Sequence, residues 1–466
     1  MSRFRCGARH PRFSSLSGCL DAEANRLATP QFRLRDWGSF LRVFLTGGRG
    51  LHMGGAGSRR GAHFYNAALF PCCCMNHMTV PSLLRRAAAA LGCALLGALA
   101  QAQTLPPPPE IAANAYLLMD VSAGQVLAER GIDERVEPAS LTKLMTTYLV
   151  FDALRAGKIR LEQTFPVSER AWKMPGSRMF IKVDTDVPVD DLIKGMVVQS
   201  GNDATVALAE GVGGTVENFV RLMNEQAAAM GLKNTHYTNP EGLTEPGHYT
   251  SARDLATLSM RLMRDFPEYA HYHAMQKYRY PGTPASNDTN RNRLLFRDPT
   301  VDGLKTGHTK AAGYCLVATA RRDFPNMKER RLLSVVLGTA SDSARTAESQ
   351  KLLNWGYTAY EGIKLFDAGE PATTTRIWKG KSNTVKLGRE QPIAVAVPAG
   401  SAAKITSEII RPEPLEAPVQ KGQTIATLRV KLGERTLAEL PLQALESVER
   451  SGWFGRAWDA IRLLWN

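Results

Sequence analysis

The chain has 466 residues, 44% of them hydrophobic and 22% charged, with a formal charge of +14; it is an ordinary globular composition, long enough for two or three domains and a large core. Residues 1–102 hold 13 Arg, no Lys and 3 acidic residues, a net of +10, which leaves +4 for the rest of the chain. The basicity belongs to a leader, so nucleic acid is not expected as a partner.

Residues 1–77 are rich in Arg, Gly, Ser and Cys and show no periodicity. From Met78 the chain reads MTVPSLLRRAAAALGCALLGALAQAQ. Arg85 and Arg86 precede an apolar run, 87–100, that ends in Ala100-Gln101-Ala102. That is the layout of a secretory signal peptide over 78–102, with the mature chain expected to begin near Gln103. The run is short for a spanning helix. A signal peptide normally stands first, so Met78 is read as the true start and 1–77 as a non-native, disordered upstream extension. Six of the seven cysteines fall at or before position 93, among them the adjacent Cys72, Cys73 and Cys74, which lack metal-ligand spacing. Only Cys315 follows, so the exported protein is expected to have no internal disulfide and to rely on its core.

TLPPPPEIAA (104–113) is a proline-rich lead-in, and AYLLMDVSAGQVLAERG (115–131) alternates like two strands around a Ser122-Ala123-Gly124 turn. A helix is predicted from near Ser140 to 156–158, with Gly157 as its C-cap. Helices over 190–198 and 204–212 flank the loop 199–203, and two more, each with an apolar stripe at helical period, cover 217–232 and 251–266. Residues 314–322 and 331–340 read as sheet strands, and 344–361 as a closing helix. From 367 to 446 the chain is rich in Thr, Val, Pro and Gly in short alternating runs, which predicts a small all-β domain. In the tail 453–466, Trp453, Phe454, Ala457, Trp458, Ile461, Leu464 and Trp465 recur at three- and four-residue steps while Arg456, Asp459 and Arg462 take other faces. Such a helix suits a membrane interface, with Trp at headgroup depth and Arg toward lipid phosphate.

Three short motifs carry chemistry. In EPASLTKLMT, Ser140 and Lys143 are three residues apart at a helix start and so share one face. A serine hydroxyl becomes a good nucleophile only when a base takes its proton, and a lysine can be that base if burial and nearby cations keep it neutral. Taken alone, the pair is better read as an N-cap serine with a snorkelling lysine. Ser200-Gly201-Asn202 falls in the interhelical loop, and Lys305-Thr306-Gly307 lies before the strand that begins at Tyr314. The three motifs in this order form the Ser-x-x-Lys, Ser-x-Asn, Lys-Thr-Gly set of penicillin-interacting enzymes.

With these motifs, and with YLLMDVSAGQVLAE, VVQSGNDATVALAE, NRNRLLFRDPTVDGLKTGHTKAAGY and ARTAESQKLLNWG, the chain from roughly Ile111 to Asn466 resembles the low-molecular-mass penicillin-binding proteins, the serine D-alanyl-D-alanine carboxypeptidases. The resemblance implies an α+β, multidomain fold. A penicillin-binding, β-lactamase-like transpeptidase domain (103–366), an antiparallel sheet with flanking helices and a helical subdomain, precedes a small all-β stalk domain (367–449) and an amphipathic anchor helix (450–466). It implies a periplasmic enzyme, peripherally attached to the inner membrane, that removes the terminal D-alanine from peptidoglycan stem pentapeptides and is acylated by β-lactams. No metal or cofactor is implied. Carried over, Ser140 is the nucleophile and Lys143 its base. Ser200 shuttles a proton to the leaving amine, and Asn202 holds Lys143 and the substrate amide. Lys305, Thr306, Gly307 and His308 form the opposite wall, and Arg291 and Arg345 stand at the substrate-carboxylate end. A free carboxylate calls for cations, and Lys305 and Arg345 are suited to supply them. The backbone N–H groups of Ser140 and His308 are the expected oxyanion donors.

A DD-endopeptidase shares all three motifs and stays open as an alternative. A class A β-lactamase-like hydrolase needs a Glu-x-x-Leu-Asn loop that the chain lacks, and a wall-binding scaffold without turnover would not need the complete set. Relatives often carry His-Gly-Leu-Asp where this chain has Glu241-Gly242-Leu243-Thr244, a difference that bears on loop bracing and deacylation.

Overall fold

A computed structural model describes residues 105–464; the expected upstream extension and signal peptide lie outside the described residues. The region before the β unit is built on a five-stranded antiparallel sheet in the spatial order Gln125–Arg130, Ala115–Asp120, Met327–Thr339, Gly313–Phe324, Val301–Thr309. Its middle strands read as continuous apolar runs because both faces are covered. Neighbouring residues part company at each step. Leu117, Val317 and Val335 join a core with Leu144, Phe151 and Leu258 from helices on one face. Leu118, Leu316 and Val336 join Leu352, Leu353 and Tyr357 of the closing helix on the other. That helix, Asp342–Ala359, is capped by Ser341, whose hydroxyl accepts the Ala344 N–H.

The segment bearing Ser140 opens as a 3₁₀ turn, Ala139–Thr142, and continues as the helix Lys143–Arg155. The helical subdomain comprises Val189–Val198, Asn202–Gly213 and Val216–Met230. The loop predicted at 199–203 is shorter than expected, because Asn202 is already the first helical residue. Val301–Thr309 is one of the sheet's two edge strands and packs beside the 3₁₀ turn. A Cβ at Gly307 would stand 3.0 Å from the Pro138 carbonyl oxygen.

The β unit holds a second five-stranded sheet, ordered Ile405–Ile410, Thr424–Leu432, Arg435–Ala444, Thr384–Gly388, Pro371–Arg376. Tyr360–Phe366, read from sequence as the end of the first domain, instead pairs with Ile393–Pro398. The chain thus enters the β unit directly from the closing helix. Gln125 spans the junction: its Oε1 accepts the Ala396 N–H at 2.6 Å and its Nε2 donates to the Leu437 carbonyl at 3.3 Å. The final helix, Trp453–Leu463, buries no side chain. Trp453 is 66% exposed and Phe454 82%, so it is not a core helix of the β unit. Among the described residues no helix is long and apolar enough to cross a membrane.

Candidate active site

Ser140 is partly exposed on the 3₁₀ turn, and Lys143, one turn on, is buried. The Lys143 amine donates to the Asn202 Oδ1 and to the Glu241 carbonyl, each at 2.7 Å, and lies 3.2 Å from the Ser140 Oγ. Asn202 is oriented for this by its own Nδ2, which donates to the Pro175 carbonyl at 2.7 Å. Two of the three groups around the amine are pure acceptors. A neutral amine spends both its hydrogens on them and turns its lone pair to the serine hydroxyl. Burial, reinforced by the Arg291 charge and opposed by Glu241 and Asp203, lowers the Lys143 pKa to about 7.

Ser200 precedes the helix Asn202–Gly213 with φ at +61°, a conformation costly for a non-glycine residue and held by its surroundings. Its hydroxyl accepts from the Lys305 amine at 2.8 Å, which also reaches the Thr306 carbonyl at 3.1 Å. Burial first, then the charges of Lys143, Arg291 and Arg345, push the Lys305 pKa well below the usual lysine range. Asp203, next to Asn202, accepts the Met179 and Phe180 N–H groups at 2.9 and 2.8 Å and so ties the neighbouring loop to the helix start.

These groups border a cleft of about 580 Å³, lined among others by Ser140, Ser200, Thr306, Gly307, His308 and Tyr314. Arg291 and Arg345 line it as well. Arg345 donates to the Gly307 carbonyl at 2.9 Å, and Arg291 to the Gln199 carbonyl at 3.2 Å. Asp342 is held by Arg345 and by Arg293, which joins it at 2.5 Å, and both Asp342 and Arg293 line the cleft. The His308 ring stacks on Tyr314 with centroids 4.0 Å apart. All ten residues predicted from sequence therefore meet at one place, seven lining the cleft and Lys143, Asn202 and Lys305 bonded behind it.

Sequence reasoning missed Asp203, Asp342, Thr142 and His248, and the part Glu241 plays. Glu241 contributes a backbone carbonyl, which no side-chain pattern encodes; its own buried carboxyl is pushed up in pKa by desolvation, with Lys143 opposing. The loop that departs from His-Gly-Leu-Asp is braced by Glu137, whose Oε2 accepts the Thr244 hydroxyl at 2.7 Å and the Thr309 hydroxyl at 3.1 Å.

Comparison with known proteins agrees with this geometry. The D-alanyl-D-alanine carboxypeptidase family matches residues 101–341, and the C-terminal domain of penicillin-binding protein 5 matches residues 360–450. The chain is 40% identical over 361 residues to D-alanyl-D-alanine carboxypeptidase DacA of Haemophilus influenzae, covering 76% of this chain and 90% of that one. It is 40% identical over 363 residues to D-alanyl-D-alanine carboxypeptidase DacC of Escherichia coli, covering 76% and 89%. The crystal structure of penicillin-binding protein 5 from Haemophilus influenzae superposes with a TM-score of 0.69 at 39% identity, over 74% of this chain and 100% of that one. The chain belongs to the D-alanyl-D-alanine carboxypeptidase family, peptidase S11, and is a serine-type D-Ala-D-Ala carboxypeptidase.

Proposed function

We propose that Ser140 carries the acyl-enzyme through which the chain removes the terminal D-alanine from peptidoglycan stem pentapeptides. The neutral Lys143 amine takes the Ser140 hydroxyl proton as Oγ attacks the carbonyl carbon of the penultimate D-alanine. The resulting oxyanion lies against the backbone N–H groups of Ser140 and His308, and loss of one such donor costs on the order of 3 kcal/mol of transition-state stabilisation. Ser200, bonded to Lys305, relays to the departing amine the proton that Lys143 took, so D-alanine leaves and Lys143 is neutral again. Lys143 then takes a proton from water as its oxygen attacks the acyl carbon, and that proton passes to the Ser140 Oγ as the shortened peptide leaves. The substrate's terminal carboxylate meets Arg345, Arg291 and Thr306. A β-lactam carbonyl enters by the same first step.

The observation that carries this reading is the Lys143 amine, held by two acceptors at 2.7 Å with its remaining face on Ser140. Its test is D-alanine release from a stem pentapeptide. Lys143→Met should retain the fold and lose turnover; normal turnover in that variant would contradict the role.

The final helix, with Trp453, Phe454, Trp458, Ile461 and Leu464 all half or more exposed, lies in the periplasmic interface of the inner membrane and binds it peripherally. The β unit, from Tyr360 onward, serves as the stalk between that helix and the cleft.

A further inference from the structure

We propose that His248 is a positioning residue for the oxyanion donor of Ser140, acting through Thr142 and the Ala139 carbonyl. This rests on the reading of Ser140 as nucleophile. His248 and Thr142 are buried and absent from the cleft lining. The His248 Nδ1 lies 3.0 Å from the Thr238 backbone N–H, which can only donate, so Nδ1 is the acceptor and the ring proton sits on Nε2. Nε2–H then donates to the Thr142 Oγ1 at 2.8 Å, and the Thr142 hydroxyl donates onward to the Ala139 carbonyl at 2.9 Å. The chain of bonds has one direction and ends on one peptide group.

That peptide group joins Ala139 to Ser140. In a planar trans peptide the C=O and N–H bonds point in opposite directions. Holding the Ala139 carbonyl inward, behind the turn, turns the Ser140 N–H outward, where among the described residues no protein acceptor takes it. The arrangement needs such a hold. Ala139 has φ at +49°, which costs an L-residue on the order of 1–2 kcal/mol and persists only when neighbours over-determine it. Gly242 packs on the same carbonyl so closely that a Cβ there would fall 1.8 Å from the oxygen. Burial and the charge of His236 outweigh Glu245 and Glu137 and lower the His248 pKa to about 4, so the ring keeps one tautomer near neutral pH.

An oxyanion donor acts on the tetrahedral species and not on the bound substrate. The experiment therefore compares three readouts in wild type, His248→Leu, His248→Gln, Thr142→Val and the Leu/Val double variant: the acylation rate by a fluorescent penicillin, KM for a D-Ala-D-Ala peptide, and inhibition by a peptide boronic acid that forms a tetrahedral adduct. His248→Leu and Thr142→Val should each lose roughly ten- to a hundredfold in acylation and lose boronate affinity in parallel, with KM little changed. The double variant should fall no further than either single, because both break one chain of bonds. His248→Gln keeps an N–H where Nε2–H stood and should recover most of the rate. Thr142→Val carries the test if His248→Leu does not fold. Wild-type acylation in both single variants, unchanged boronate affinity, or a His248→Gln variant no better than His248→Leu would overturn the proposal. If the wild-type protein is acylated at a residue other than Ser140, the nucleophile reading fails before this one is reached.

Discussion

Arg330 and Asp120 form an ion pair at 2.8 Å with neither side chain exposed, where the closing helix gives way to the β unit. The Arg330 Nη1 donates to the Tyr360 carbonyl at 2.7 Å, the first residue of the strand that enters that unit. Burial outweighs the guanidinium's pull and leaves the Asp120 pKa above its ordinary value. Removing one partner leaves the other buried alone, so Arg330→Met should cost about 3–5 kcal/mol in urea unfolding, whereas Asp120→Leu with Arg330→Met should recover most of the loss. A single variant as stable as wild type would contradict the role of the pair.

The acylation rate should rise with pH as Lys143 loses its proton, with a midpoint near its pKa of about 7. The Arg291 charge is one of the causes of that low value. Arg291→Ala should therefore move the midpoint to higher pH, independently of any change in substrate affinity. The check is the pH profile of penicillin acylation in both proteins, and a midpoint unmoved or lowered in the variant would count against the electrostatic coupling.

Buried histidines should make the fold acid-labile. His248 and His273 each have a pKa lowered by burial to about 4, against an ordinary 6.5. Between those values the unfolded chain binds more protons than the folded one, so stability falls as pH drops through that window and is regained as it rises. Each site contributes on the order of 3 kcal/mol at the acid end. Unfolding free energies measured across the window should show this slope, and His248→Gln should reduce it; the same slope in the variant would rule out His248 as a source.

What the sequence made legible follows from what is local. Ser140 and Lys143 could be paired because helical spacing alone puts them on one face. The strand 115–120 is legible from the alternation of 115–131 about its turn, and the strands 313–324 and 327–339, read as 314–322 and 331–340, from the apolar runs that burial on both faces leaves. Lys305 and Ser200 are 105 residues apart, and only the resemblance of the whole motif set brought them together. Asp120 and Arg330 are 210 apart and carry no pattern at all. Glu241 offers a backbone carbonyl, which every residue possesses, and the side chains of Thr142 and His248 meet across 106 residues of sequence, so composition and periodicity are silent about them. The strand 360–366 is placed by the sequence reading in the first domain, with only 360–361 in the closing helix, because YEGIKLF alternates only weakly between apolar and polar residues.

The amphipathic tail should govern membrane association. Deleting 451–466 should release the enzyme to the soluble fraction with its cleft intact, since the final helix buries no side chain. Sedimentation of the truncated protein with membranes would contradict the anchor.

The central claim is that Ser140 is the group acylated. Intact-mass spectrometry of the protein incubated with a penicillin, followed by peptide mapping, tests it most directly. The account predicts a single acyl adduct on the peptide bearing Ser140 and none in folded Ser140→Ala. An adduct that survives in that variant, or that maps to another residue of the wild-type protein, would contradict it.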